Sequence, residues 1–233
     1  MITSIALEDD LMEHYLKYAA QITDTARFLV EKGILKGTGG NLSLRIPGEQ
    51  AFAITPSNYD YMKMTPEDIC ILKLDGTAIS SPRKPSIEST MHAAIYTNRP
   101  DVSVVFHTHQ EYASAMSLIN EPIPALFDEQ VRFLGRAVNV INYAPSGTGW
   151  LMKNVRSKLR DGHNAYLLQN HGALVMGPDI DRTIFNLQLL EKCALTYLIT
   201  LCTECKVTRI PAFVREIIYA KLRSDEKKII EQN

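Results

Sequence analysis

The sequence predicts an α/β protein in which helical layers flank a central mixed, largely antiparallel sheet. Three observations lead there. Apolar residues recur at helical spacing in several long segments, short strand-like runs lie between those segments, and some of the runs are joined by tight turns instead of helices. Crossover helices alone would give a purely parallel, doubly wound sheet, so the hairpins argue for mixed pairing.

The elements follow in order. Residues 9–33 carry an apolar face at Tyr15, Tyr18, Ala19, Ile22 and Ala26, and Gly33 stops the helix. NLSLRIPGEQAFAITPS alternates apolar and polar residues on both sides of Pro47 and Gly48, the pattern of a hairpin. ICILKLDG adds a strand and a turn. SIESTMHAAIYTNR reads as a helix closed by Pro100, and residues 103–107 follow as a buried strand. A helix is expected over 112–119, then an irregular stretch, a strand near 137–142 and a helix over 148–159. AYLLQNHGALVMG reads as two strands around a polar turn. A long helix opens at Asp179 to Asp181, and a last amphipathic helix runs on from Pro211. No internal repeat or Gly/Ser linker divides the chain, so residues 1–233 are expected to form a single domain.

The 233 residues are 45% hydrophobic and 22% charged, which suits a substantial core. With 25 basic and 26 acidic side chains the formal charge is -1, leaving no electrostatic footprint for nucleic acid. The acidic, interrupted N-terminus lacks the pattern of a secretory leader, and no unbroken apolar run approaches the ~18 residues of a membrane span. A cytoplasmic address and no membrane partner are expected. The four cysteines do not make a disulfide framework in a chain of this length. Cys202 and Cys205, at the end of the long helical pattern, read as small hydrophobes on one face.

Residues with chemistry to offer begin in VVFHTHQEY. A strand alternates faces with period two, so His107 and His109 point the same way. Converging neutral imidazoles suit one divalent metal with a third ligand from elsewhere; the plainer reading is a pair of hydrogen-bonded surface histidines. His171, in the turn of LLQNHGAL, is either a turn residue or that third ligand. His14 and His163 read as solvated. Glu88 and His92 lie four apart on one helix and share a face. Glu88 is either a first-turn acid favoured by the helix dipole or a general base beside a metal, while His92 fits a supporting role that orients the site. In GILKGTGGNLSLR, Gly37, Gly39 and Gly40 with Thr38 and Asn41 make either an anion-approaching turn or a helix C-cap leading into a strand. The spacing is neither a Walker loop nor a dinucleotide fingerprint.

Five segments, GTGGNLSLR, ITPSNYDYMKMTPEDI, KPSIESTMHAAIY, RPDVSVVFHTH and LLQNHGAL, resemble the class II aldolase/adducin family in order and spacing, across about residues 10–200. The resemblance implies a three-layer α/β/α sandwich and a homotetramer with sites near subunit interfaces. It also implies a divalent metal, Zn2+ ahead of Mn2+ or Co2+. By the same resemblance His107, His109 and His171 hold the metal, Glu88 shuttles a proton, and Gly40, Asn41, Ser57 and Ser86 bind phosphate. Tyr143 would act as proton donor at a neighbouring subunit's site. Glu129 stands where related lyases sometimes place a second acid, although a solvent-facing charge explains it as well. Tyr219 is a candidate for closing over substrate, or for helix packing. Two positions depart from the pattern. Asn58 stands where sugar-phosphate aldolases often have glycine, and Ile87 where a second serine follows the proline; the helix N-terminus at Ser86 would still offer amides to an anion.

The implied function is that of a metal-dependent aldolase. It would cleave a small ketose 1-phosphate to dihydroxyacetone phosphate and an aldehyde through a metal-stabilised enediolate. The alternatives are a metal-dependent dehydratase, decarboxylase or 4-epimerase of a related sugar phosphate or sugar acid, and a non-catalytic adducin-like interaction protein. Epimerases of the family carry aspartate at the position of Glu88, and adducin-like members lack the full histidine set.

Overall fold

The computed structural model describes residues 2–203 and 205–232. Its strands are β1 (Asn41–Arg45), β2 (Ala51–Ile54), β3 (Cys70–Lys73), β4 (Ala78–Ser80), β5 (Val104–Thr108), β6 (Asn139–Ile141), β7 (Ala165–Leu168) and β8 (Gly172–Gly177). Its α-helices are α1 (Ile2–Glu31), α2 (Ser89–Asn98), α3 (Glu111–Ile119), α4 (Asp128–Phe133), α5 (Gly149–Lys158), α6 (Ile180–Leu201) and α7 (Ala212–Gln232). The strands form one sheet in the order β4-β3-β2-β1-β5-β8-β7-β6, antiparallel at every pairing except β6 with β7. This is the mixed, largely antiparallel sheet that the hairpins predict.

Alternation divides each central strand between two cores. Leu42 and Leu44 of β1, Val104 and Phe106 of β5, and Ala173 and Val175 of β8 pack in one apolar cluster with α1, α3 and α6. Phe52 and Ile54 of β2, Val105 of β5, and Leu174 and Met176 of β8 face the other way, against α2 and α5. Both faces are covered, which is why β5 and β8 read as near-continuous apolar runs, while β1 alternates Leu42 and Leu44 with the buried polar Asn41 and Ser43. Each fully buried Val, Leu or Phe contributes ~1.5–3 kcal/mol of transfer free energy. His107 follows Val105 by two residues and therefore points toward the α2 layer.

Register brings the chemistry to one rim of the sheet. Asn41 pairs with His107 across β1 and β5, and Thr108 pairs with Ala173 across β5 and β8. Two glycines allow the backbones to pass closely there. A Cβ on Gly40, which has φ +81°, would sit 2.5 Å from the His107 carbonyl oxygen, and one on Gly172 would sit 2.5 Å from that of Thr108.

Several expectations are corrected. The first helix starts at Ile2 and not at residue 9, ending at Glu31 before the left-handed Gly33. β4 and α4 were not expected; the first is a three-residue, half-buried edge strand, and the second has six residues, too few to show a helical period. His163 is 3% exposed and not solvated, because α7 closes over its turn and sets the Tyr219 ring 5.8 Å from the imidazole. Cys202 and Cys205 lie beyond the end of α6 and are exposed, so they share no buried helix face. Among the described helices α6 is long and apolar enough to cross a membrane by length and composition, but Glu191 and Lys192 interrupt it, so no unbroken apolar run reaches that length. In the fold it packs Leu187, Leu190, Cys193 and Ala194 into the core instead.

Candidate active site

β5 supplies His107, and His109 follows two residues on, beyond the strand end. His171 comes from the turn between β7 and β8, where Asn170 takes φ 55° and the His171 amide donates to the Leu168 carbonyl at 3.0 Å. One ligand nitrogen from each imidazole lies within 4.8 Å of the others. His107 Nδ1 lies 3.0 Å from the Ala173 carbonyl oxygen, which can only accept, so Nδ1 carries the proton and Nε2 presents a lone pair to the cleft. His109 Nε2 stands 3.0 Å from that lone pair. Burial holds the His107 pKa down to about 4, with the neighbouring His171 and His109 acting in the same direction, and burial also lowers that of His109. At neutral pH these two rings are therefore neutral, the form that binds a cation.

Glu88 occupies the N-cap of α2, one position ahead of the first turn where the sequence spacing puts it. It is 4% exposed. Its Oε2 accepts from Asn41 Nδ2 at 2.8 Å and lies 3.3 Å from His107 Nε2. Its Oε1 lies 3.6 Å from His171 Nε2 and has no hydrogen-bond partner among the described residues. Burial works to raise the Glu88 pKa, but the His107 imidazole, the Asn41 amide, His171 and His92 together outweigh it and hold the carboxyl below its ordinary value. His92 does not face the cleft. It is fully buried behind Asn41, and burial lowers its pKa to about 3.

A cleft of about 210 Å³ gathers these groups. Gly40, Asn41, Ser57, Ser86, Glu88, His107, His109 and His171, all singled out in the sequence, line it together. Tyr61, buried below the glycine turn, donates to the Gly40 carbonyl at 2.7 Å and fixes its path. Asn58 takes φ 51°, a left-handed conformation that Asn tolerates, so it occupies a backbone position suited to glycine; its side chain accepts from Thr38 at 2.9 Å. α2 begins at Ser89 and not at Ser86, and the Glu88 amide turns back to Ser86 Oγ at 3.2 Å, so that amide does not point into the cleft. Ile87 lines the cleft as an apolar wall against Gly147.

Sequence reasoning missed Ser146, whose Oγ is 3.3 Å from His171 Nε2. It lies on the loop after β6, and nothing in its local pattern marks it. Three candidates stay outside the cleft. Tyr143 is 59% exposed, and its amide donates to Gln169 Oε1 at the start of the His171 turn. Glu129 on α4 is ion-paired with Lys192 of α6. Tyr219 is buried with Ala125, Val131 and Leu222, and its hydroxyl donates to the Asp161 carbonyl.

Residues 20–198 match the model of the class II aldolase and adducin N-terminal domain. The chain belongs to the class II aldolase and adducin family. It is 33% identical over 181 residues to the 5-deoxy-D-ribulose 1-phosphate aldolase of Bacillus thuringiensis serovar kurstaki, covering 78% of this chain and 84% of that one. An L-fuculose phosphate aldolase of Escherichia coli is 33% identical over 186 residues, covering 79% of this chain and 84% of its own. A solved L-fuculose 1-phosphate aldolase superposes with a TM-score of 0.83 at 30% identity, across 89% of this chain and 96% of that one. The three-layer class II aldolase fold is thus the fold of this chain, and the chain is an enzyme of the metal-dependent aldehyde-lyase class. Its donor set fits a divalent cation: three imidazoles converge beside a buried carboxylate oxygen that nothing else satisfies.

Proposed function

We propose that this class II aldolase cleaves a small ketose 1-phosphate to dihydroxyacetone phosphate and an aldehyde, as a cytoplasmic homotetramer built from a single domain over residues 1–233. The observation that carries the reading is the placement of Glu88. A buried carboxylate 3.3 and 3.6 Å from two imidazoles of a converging triad is poised to move a proton at the carbon next to the substrate carbonyl.

His107, His109 and His171 would hold the cation, with Zn2+ ahead of Mn2+ or Co2+ for a three-imidazole set. When bound, it supplies a Lewis acid that favours negative charge on the ketose carbonyl and adjacent hydroxyl oxygens. Gly40, Asn41, Ser57 and Ser86 orient the phosphate at C1. Glu88, ionised at rest, takes the proton of the C3 hydroxyl as substrate binds. As the C3–C4 bond breaks, its electron pair stays with C3, Glu88 passes that proton to C3, and the C3 oxygen regains one from solvent. Tyr143, releasing its own phenolic proton to solvent, takes the proton of the C4 hydroxyl at the site of a neighbouring copy, which frees the aldehyde. Its 59% exposure supports that assignment, as does the exposure of Trp150 and Ile87 on adjoining segments, since a second copy of the chain would cover these apolar groups.

The test is direct. Protein loaded with Zn2+ is incubated with a panel of ketose 1-phosphates, dihydroxyacetone phosphate is assayed by coupled reduction, and all products are identified by mass spectrometry. Equal amounts of dihydroxyacetone phosphate and aldehyde are expected. Loss of water or carbon dioxide with no aldehyde released overturns the reading.

A further inference from the structure

We infer that His92, Ser43 and Tyr96 are positioning residues forming a one-way hydrogen-bond relay that fixes the orientation of the Asn41 carboxamide and so keeps a donor on Glu88. The inference deepens the aldolase reading, because it concerns the support of the carboxyl assigned there as proton shuttle.

The relay zigzags between two elements. Asn41 and Ser43, two apart on β1, share one strand face; Glu88, His92 and Tyr96, spaced by four, share one side of α2 and its N-cap. Tyr96 OH lies 2.6 Å from Ser43 Oγ, Ser43 Oγ lies 2.6 Å from His92 Nδ1, and His92 Nε2 lies 2.5 Å from Asn41 Oδ1. Asn41 Nδ2 then reaches Glu88 Oε2 at 2.8 Å. All five side chains are 5% exposed or less, so no bulk water competes for these contacts.

Chemistry fixes the direction of every step. The carboxylate only accepts, so Asn41 presents its NH2 to Glu88 and its carbonyl oxygen to His92. That oxygen also only accepts, so His92 carries its proton on Nε2. A neutral imidazole has one N–H, which leaves Nδ1 bare and makes Ser43 the donor to it. Ser43, having donated, accepts from Tyr96. Each donor thus points toward Glu88. A flipped Asn41 would set two acceptors face to face at 2.8 Å and would require the other tautomer of His92. Oε2 is held in this way, while Oε1 is the side of the carboxyl without a partner.

The test has two arms. In zinc-loaded protein labelled with 15N-histidine, long-range proton–nitrogen correlation spectra should show His92 protonated at Nε2 and bare at Nδ1. The opposite tautomer, or protonation at both nitrogens, overturns the relay. For the second arm, Ser43→Ala leaves the metal ligands and Glu88 in place, and kcat should fall roughly 10-fold or more with KM and zinc content held, a size usual for groups that orient a site. Ser43→Thr, which keeps the hydroxyl, should recover most of the loss. Wild-type kcat in a folded Ser43→Ala protein overturns the proposal, and if that variant does not fold the spectrum of the wild-type protein still decides it. Should the wild-type protein show no aldol cleavage, the proposed activity falls, while the tautomer measurement still judges the relay.

Discussion

Glu88 sits where one atom matters. Replacing it by Gln keeps the size of the side chain and its place at the N-cap but removes the carboxyl that carries a proton. Steady-state kinetics of Glu88→Gln on the accepted ketose phosphate should show kcat lower by roughly 10²–10⁴ with a small change in KM. Gly40 tests a different kind of necessity. With φ +81° and a Cβ position 2.5 Å from the His107 carbonyl, Gly40→Ala should cost about 1–3 kcal/mol, read as a lower urea midpoint. His107 and His109 were legible because strand side chains repeat every two residues. Ser146 was not, since a loop residue reaches the cleft through contacts that no periodicity encodes.

Among elements, helices with a strong local start were the easiest to read. Asp179 caps α6 by accepting from the Arg182 amide at 2.7 Å, as the Asp179 to Asp181 stretch predicts. Asp179→Ala should lower stability by ~1 kcal/mol, visible as a reduced melting temperature with little effect on turnover. α2 is less simple. Its apolar face points to the core beside β5, and its polar positions at 88, 92 and 96 meet β1, so one short helix serves both packing and site. α4 and β4 escaped because elements this short owe their shape to neighbours: α4 packs on α6 and α7, and β4 is held by β3.

Over the whole molecule, a buried polar cluster joins α7 to the sheet. Arg99 pairs with Asp101 at 2.6 Å and Glu226 at 3.3 Å and donates to the His163 carbonyl at 2.7 Å. Burial depresses the His163 pKa to about 4, below the 6.5 expected in the unfolded chain. The native state therefore resists a proton that the unfolded state accepts, so this stability is intact above pH 6.5 and is lost as pH falls toward 4. Urea denaturation should show roughly 2 kcal/mol less stability at pH 5 than at pH 7 from this group, and the difference should shrink in His163→Gln. The sequence alone determined the class of fold and the faces of its strands and helices, while its resemblance to the family singled out His107, His109, His171, Glu88 and the glycine turn together. Local backbone period is enough for the fold class and the faces; the joint site came from the order and spacing of five segments. Only the tertiary structure decided that His163 is buried, that Ser146 joins the cleft while Glu129 and Tyr219 do not, and that Asn41 links His92 to Glu88. Those outcomes depend on which distant segments meet, and that is set by packing of the whole sheet and its two helical layers.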